Sequence, residues 1–184
     1  VWHAENLLPN FNAEKLHQYH ADLFFNEYET GKLSSADFVQ KIKEIAHDAG
    51  ISDDTIMQHW NGILLDIPKH RIDLLYELKQ KYTLILLSNT NDIHLDFIIN
   101  YLQEQFGKNS FDEIFTHQFY SQKMGMRKPN KDIYEFVIET AAIVPQEAYF
   151  FDDKPENLIE AKNLGINTVL VDRDIFLQDL RLFL

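Results

Sequence analysis

Apolar residues recur at helical spacing through the first third of the chain. In the stretch SSADFVQKIKEIAHDAG, Phe38 and Ile42 fall on one side of a helix, and Ser34 stands where an N-cap is expected. The stretch SDDTIMQHWNGILLDIP has the same form, and Pro68 is expected to stop its helix. Residues 1–67 are therefore predicted to form a small helical unit.

Beyond Pro68 the pattern changes to short apolar runs that alternate with amphipathic segments. The runs are TLILLS, FDEIFT, AYFF and NTVLV, and a segment with helical periodicity separates each from the next. This alternation predicts right-handed crossovers and a parallel sheet with helices on both faces, which is an α/β fold. In open sheets of this kind ligands bind beyond the carboxyl ends of the strands. The residues that end each strand are therefore the candidates for chemistry.

Length, charge and composition narrow the class of protein. The 184 residues are enough for one domain, or for one domain with a modest insertion. The formal net charge of −12 repels the phosphates of nucleic acids and of anionic lipids, so neither is an expected partner. The absence of cysteine leaves oxygen and histidine as metal ligands. No long apolar run or signal-like leader is present, so we expect a soluble, cytoplasmic protein of undetermined oligomeric state.

The first candidate strand ends in four small polar residues, Ser88, Asn89, Thr90 and Asn91. A hydroxyl, an amide and backbone N–H groups at the start of a helix can cradle an anion. The same residue types are favoured as ordinary helix caps. Taken alone, the stretch allows both interpretations.

A lysine, Lys128, stands at a second junction, in the stretch SQKMGMRKPNKDIYEFV. Pro129 biases it away from the helical conformation, and Asn130 can cap the following helix. The inner side of that helix is predicted to carry Ile133, Phe136, Val137 and Thr140. A lysine held here can pair with a phosphate or with clustered carboxylates. The alternative is a solvated lysine in a basic surface pair with its neighbour.

Two adjacent acids, Asp152 and Asp153, follow the apolar run AYFF. Like charges at the end of a buried strand disfavour one another's ionisation unless a cation is present. Mg²⁺ is a suitable cation because it prefers carboxylate oxygens and water and is often shared with substrate phosphates. Pro155 fits the first turn of the next helix, and Asn157 is placed to support the ligand shell or the loop. The competing interpretation is that the acids only cap this helix.

The three stretches LLSNTN, GMRKP and YFFDDKPENLIEAKNLGI resemble, in order and spacing, the second, third and fourth motifs of the haloacid dehalogenase-like hydrolase superfamily. The resemblance spans roughly residues 68–171. It implies a Rossmann-like core in residues 68–184, with residues 1–67 forming the small α-helical cap that many members carry.

The resemblance also implies a role for each matching residue. Ser88 and Asn89 would hold the transferring phosphoryl group, and Lys128 would act as the catalytic lysine that balances charge between phosphate and carboxylates. Asp153, assisted by Asp152, would bind Mg²⁺, with Asn157 in support. The paired acids suit a metal-dependent phosphatase, whereas dehalogenase members work without a metal and differ at this motif.

The first motif of the superfamily, an apolar strand ending in Asp-x-Asp, has no match in the stretch VWHAENLLPNFNAEKLHQYHADLFF. No nucleophile is therefore assigned in this chain, and we expect it on a strand upstream of Val1. In the family's sheet that strand lies between the strands ending at Ser88 and Asp152, so its omission would leave a gap of about 10 Å, or two inter-strand spacings.

The predicted function is that of a Mg²⁺-dependent phosphatase acting on small phosphorylated metabolites, such as sugar phosphates, through an aspartyl-phosphate intermediate. The alternative is a non-catalytic relative that binds phosphate and metal, or regulates, without the nucleophile. A receiver-type signalling domain also combines acids, a hydroxyl and a lysine. In receivers, however, the lysine follows the acidic pair, whereas Lys128 precedes it here.

Overall fold

The computed structural model describes residues 21–46, 50–107 and 110–171. Within these ranges the α-helices are α1 Ala21–Glu29, α2 Ser35–Ala46, α3 Asp53–Asn61, α4 Lys69–Leu78, α5 Asp92–Phe106, α6 Ser110–Ile114, α7 Ser121–Met124, α8 Lys131–Thr140 and α9 Pro155–Asn163, with a 3-10 turn at Pro145–Glu147. The strands are β1 Ile85–Ser88, β2 His117–Tyr120, β3 Tyr149–Asp152 and β4 Asn167–Leu170. None of the described helices is long and apolar enough to cross a membrane.

The chain divides into two compact units. The helical unit takes its described residues from 1–66, 90–109 and 121–125. The α/β unit takes its described residues from 67–89, 110–120 and 126–184. The roles of residues 1–67 as a cap and of residues 68–184 as a core stay predictions.

The helical unit is built around a cluster of aromatic side chains. Phe24, Tyr28, Phe38 and Trp60 are all buried and belong to one apolar cluster. The rings of Tyr28 and Phe38 stack with their centroids 4.2 Å apart and their planes at 16°. Because burial of each such ring stabilises the fold by roughly 1.5–3 kcal/mol, this cluster is the main source of stability for a unit made of short helices.

The predicted start of α2 is confirmed, and the predicted end of the next helix is wrong. Ser34 Oγ accepts a hydrogen bond from the backbone N–H of Asp37 at 3.1 Å and donates to its carboxylate at 2.6 Å, so Ser34 is the N-cap of α2. Helix α3 ends at Asn61, well before Pro68. Pro68 occupies instead the position before the first residue of α4.

The α/β unit contains two pairs of parallel strands. Strand β1 pairs with β2, with Ser88 opposite Tyr120, and β3 pairs with β4, with Asp152 opposite Leu170. Among the described residues no backbone pairing joins the two pairs. Parallel strands linked through helices confirm the α/β class. The gap that the family resemblance implies between β1 and β3 stays a prediction.

One predicted strand is a helix. The run FDEIFT was expected to be extended, but its residues belong mostly to α6, and the strand follows as the sequence HQFY. Asp112 and Glu113 lie in the first turn of α6, where carboxylates favour the positive end of the helix dipole. Helix α6 buries the side chain of Ile114. A run this short has no periodicity that separates a strand from one helical turn.

Candidate active site

Lys128 is buried between the ends of two strands. Its side chain is 10% exposed. Its ammonium nitrogen donates to the carbonyl of Leu87 at 3.0 Å and to Oδ2 of Asp152 at 2.7 Å. Because Leu87 lies in β1 and Asp152 ends β3, one ammonium group connects the carboxyl ends of two strands that share no pairing in the described residues. The interpretation of Lys128 as a solvated surface residue is therefore wrong.

The ammonium group of Lys128 has a third N–H that can donate to a ligand. An ammonium has three N–H bonds, and Leu87 and Asp152 use two of them. Within residues 21–46, 50–107 and 110–171 the third N–H has no hydrogen-bond acceptor. The ring of Phe150 lies 5.5 Å from the nitrogen, which adds a cation–π contact. Lys128 can thus accept an anionic ligand without releasing the bonds that position it.

Asp152 is held by donors on both carboxylate oxygens. Oδ1 accepts from the side-chain amide of Asn157 and from the backbone N–H of Lys154, both at 2.9 Å, while Oδ2 accepts from Lys128. Burial alone raises the pKa of this carboxyl. The hydrogen bond and charge of Lys128, joined by the donors from Asn157 and Lys154, outweigh burial and hold the pKa of Asp152 below its ordinary value. Asp152 is therefore a fixed negative charge at neutral pH.

Asn157 is itself positioned by a buried tyrosine. The hydroxyl of Tyr134, in α8, donates to the backbone carbonyl of Asn157 at 2.6 Å. Burial, followed by the nearby charges of Asp152 and Glu160, raises the pKa of Tyr134 well above its usual value, so the phenol stays protonated and can donate. The predicted supporting role of Asn157 thus has a structural basis. Its amide donates to Asp152, and Tyr134 anchors the first turn of α9 that carries it.

Ser88 and Asn89 differ in what their side chains contact. The side chain of Asn89 makes two hydrogen bonds with the main chain of Lys128, donating to its carbonyl at 2.8 Å and accepting from its N–H at 2.9 Å. The hydroxyl of Ser88, at the end of β1, has no hydrogen-bond partner among the described residues. Ser88 is therefore the residue of this pair whose side chain is available to a ligand.

The acids at the end of β3 fit part of a Mg²⁺ site. Asp153 presents an exposed carboxylate directly after the buried Asp152. In the part of the chain that the structure describes, no group of three or more His, Asp or Glu side chains could hold a metal ion. Mg²⁺ commonly uses only one or two carboxylates and completes its shell with water and substrate phosphate, so the two acids suit it. The cation that compensates Asp152 is Lys128, so charge repulsion in the pair is not by itself evidence for a metal.

Sequence reasoning missed three contributors to this cluster. The carbonyl of Leu87 and the backbone N–H of Lys154 carry no side-chain signal. The third is Tyr134, which the pattern does not place on the inner side of α8. This helix buries Ile133 and Val137 as predicted and also Tyr134, whereas the predicted inner positions of Phe136, which is 40% exposed, and of Thr140 are wrong. The sequence signal for Tyr134 is the occurrence of large apolar or aromatic residues at positions i, i+1 and i+4, which lie on one face of a helix.

The chain is similar in sequence to known proteins. A sequence model of haloacid dehalogenase-like hydrolases matches residues 10–165. The D-ribitol-5-phosphate phosphatase of Bacteroides thetaiotaomicron is 28% identical over 154 residues, which cover 84% of this chain and 74% of that protein.

Solved structures show the same similarity. A crystal structure of a HAD family enzyme from Bacteroides thetaiotaomicron is 34% identical, with a TM-score of 0.84 over 94% of this chain and 87% of that one. A structure of a HAD family enzyme from that organism in complex with magnesium and inorganic phosphate is 32% identical, with a TM-score of 0.80 over 92% of this chain and 87% of that one. These structures confirm the predicted Rossmann-like α/β fold.

Proposed function

The chain belongs to the haloacid dehalogenase-like hydrolase family, and we propose that it acts as a Mg²⁺-dependent phosphatase on small phosphorylated metabolites such as sugar phosphates. In this proposal an aspartate attacks phosphorus, and water then hydrolyses the aspartyl-phosphate. That aspartate is not assigned to any residue of this chain. The proposal concerns what the residues of the α/β unit do to the phosphoryl group.

The observation that carries the proposal is the placement of Lys128. Its ammonium is buried, is oriented by Leu87 and Asp152, and has one N–H left for a further acceptor within the described residues. A phosphoryl oxygen is an acceptor of the right charge. Because the lysine is already fixed by the fold, little reorganisation is needed as negative charge develops on the phosphoryl oxygens, which is the condition for strong electrostatic stabilisation.

Ser88 supplies a second contact to the same group. Its hydroxyl lies at the carboxyl end of β1, one residue beyond the carbonyl that accepts from Lys128. A hydroxyl can donate to a phosphoryl oxygen while Lys128 neutralises charge on another. Asp152 binds no phosphate in this scheme. It holds Lys128 in place through their ion pair.

Asp153, with Asp152 beside it, would hold Mg²⁺. When bound, Mg²⁺ would neutralise charge on the phosphoryl oxygens and orient the group for in-line attack. Asp153 is exposed and follows the end of β3 directly, so a ligand at the strand ends can reach it. Asn157 and Lys154 fix the neighbouring Asp152 and thereby the turn that presents Asp153.

The named relatives support both the reaction class and the type of substrate. One is a phosphatase of D-ribitol 5-phosphate, a small phosphorylated polyol. A HAD family enzyme of similar structure binds magnesium together with inorganic phosphate. Small phosphorylated sugars and polyols are therefore the first substrates to test.

The test is phosphate release from p-nitrophenyl phosphate and from a panel of sugar and polyol phosphates by the full-length protein, with Mg²⁺ and with EDTA. We expect turnover that requires the metal, with at least one metabolite preferred over the artificial substrate. A folded sample that binds phosphate but releases none from any substrate would overturn the proposal. It would support instead the non-catalytic, phosphate-binding relative.

A further inference from the structure

The side-chain amide of Asn89 forms two hydrogen bonds with the main chain of Lys128. Its amide nitrogen donates to the Lys128 carbonyl at 2.8 Å and its amide oxygen accepts from the Lys128 N–H at 2.9 Å. A side-chain amide offers one acceptor oxygen and one donor nitrogen, and here each is directed at the same residue of the chain. The contact spans 39 positions of sequence, so it fixes the tertiary position of Lys128 and does not cap a local turn.

Residues 87–89 thereby fix both the main chain and the ammonium group of Lys128. Its main chain is held by Asn89, and its ammonium donates to the carbonyl of Leu87, two residues earlier in the sequence. The four rotatable bonds of a lysine side chain normally leave its charge poorly located. Fixing the backbone and the ammonium against the end of β1 restricts the positions that the charge can occupy.

We propose that the side chain of Asn89 is a positioning residue that sets the location of the Lys128 ammonium, and that it is not a phosphate ligand. The catalytic part of this inference rests on the proposed phosphatase function, because that function gives Lys128 its task. The structural part, that Asn89 controls the environment of the Lys128 ammonium, holds in the protein without any ligand.

The structural part is tested by NMR on phosphate-free protein labelled with ¹⁵N at the lysine side-chain nitrogen, with the Lys128 ammonium signal assigned by its loss in Lys128→Arg. We expect Asn89→Ala to shift this signal or to broaden it through faster hydrogen exchange. The matched control is Asn130→Ala, since Asn130 is exposed, lies two residues from Lys128 and makes no side-chain cap bond. The control should leave the Lys128 signal in place.

An unchanged Lys128 signal in folded Asn89→Ala protein overturns the inference. If Asn89→Ala does not fold, Asn89→Asp provides the same measurement. It keeps the shape and the acceptor for the Lys128 N–H but cannot donate to the carbonyl, so a displaced Lys128 signal is again the expected result. An undisturbed signal in that variant counts against positioning.

The catalytic part is tested by the binding of inorganic phosphate, measured calorimetrically with Mg²⁺ present. A positioning residue acts only through Lys128, so Asn89→Ala should weaken binding in the parent protein and cause no further loss in a Lys128→Met background. A loss of equal size in both backgrounds identifies Asn89 as a direct ligand and overturns the inference.

Turnover separates this inference from the proposed function. With p-nitrophenyl phosphate, kcat of Asn89→Ala should fall by about 10- to 100-fold, the scale of a displaced catalytic group, while Asn130→Ala keeps the parent rate. A parent protein without turnover, in which Asn89→Ala still displaces the Lys128 signal, refutes the phosphatase and leaves the positioning role supported.

Discussion

The ammonium nitrogen of Lys128 lies 2.7 Å from a carboxylate oxygen of Asp152, with the two side chains only 10% and 5% exposed. Burial of this kind makes each charge depend on the other, since water cannot replace a missing partner. The pair also joins strands β1 and β3 where each ends. Its integrity therefore matters to the stability of the α/β unit and to the function proposed above.

Removal of the lysine should destabilise the fold strongly. Lys128→Met leaves the carboxylate of Asp152 buried without its cation, so we expect the free energy of unfolding to fall by about 3–5 kcal/mol. Lys131 is a matched control, because it pairs with Glu135 at 2.6 Å but both side chains are more than half exposed. Lys131→Met should lose far less, because an exposed ion pair contributes little to stability. Urea denaturation at pH 7 measures both variants, and losses of similar size would refute the importance of burial.

Acid should weaken the same pair. The folded-state pKa of Asp152 lies below its ordinary value, so the unfolded chain takes up a proton more readily than the folded one. The stability that this shift contributes is complete above the unfolded pKa of about 4 and is lost as pH falls through the lower folded pKa. The free energy of unfolding of the parent protein should therefore fall more steeply below about pH 4 than that of Asp152→Asn. Parallel pH profiles would show that Asp152 is not responsible.

A second pH dependence should arise in the helical unit, at His94. Its Nδ1 faces the side-chain nitrogen of Asn91 at 3.1 Å, and its Nε2 faces the carbonyl of Trp60 at 3.1 Å. The oxygen of Asn91 already accepts from the Trp60 indole and from the His94 N–H, so its nitrogen must donate to the imidazole. His94 is therefore neutral, with its proton on Nε2. Burial, only partly offset by the Trp60 carbonyl, lowers the pKa of His94.

The lowered pKa of His94 makes acid destabilising, whereas a histidine paired with a carboxylate stabilises the fold at low pH. Because the unfolded state binds the proton more readily, stability should fall as pH drops from about 6.5 towards the lower folded pKa and should change no further below it. Melting temperatures between pH 7.5 and 5 measure this loss. His94→Gln should lack this contribution, and His70→Gln, at an exposed site, should retain it. A parent protein whose stability is flat over this range contradicts the assignment.

Substitution by alanine should lower the free energy of unfolding by different amounts at two glycines with left-handed backbone conformation. Gly31 has φ +66°, and a Cβ there would lie 2.2 Å from the carbonyl oxygen of Gln122. Gly107 has φ +72°, and a Cβ there would meet no atom within 4 Å from the described residues that are not its chain neighbours. Gly107→Ala should therefore lose only the conformational term of about 1–2 kcal/mol. Gly31→Ala should lose clearly more, because a backbone atom must move. Chemical denaturation compares the two, and equal losses would contradict the packing of the helical unit.

The sequence predicted the chemistry at the strand ends better than it predicted the elements between them. The resemblance of the three motifs assigns Lys128 and Asp152 to one site, and their side chains are in contact at 2.7 Å. The run FDEIFT was misassigned because five or six residues are too few to distinguish a strand from a helical turn.

Contacts made by backbone atoms were beyond sequence reasoning. The double hydrogen bond from Asn89 to Lys128 depends on the path of the chain over 39 positions, and an asparagine in a polar run fits a cap, a cradle or a clamp equally well. The carbonyl of Leu87 is likewise invisible in the sequence. Residue type identified which groups take part, and only the fold showed what each one contacts.

The most direct test of the central claim, that Lys128 acts on the phosphoryl group, is the rate of Mg²⁺-dependent phosphate release by Lys128→Met, Lys131→Met and the parent protein. Circular dichroism on the same samples establishes that each is folded. We predict that Lys131→Met matches the parent and that Lys128→Met is slower by at least about 100-fold, the loss typical of removing one preorganised donor. A folded Lys128→Met protein that releases phosphate at the parent rate would contradict the account.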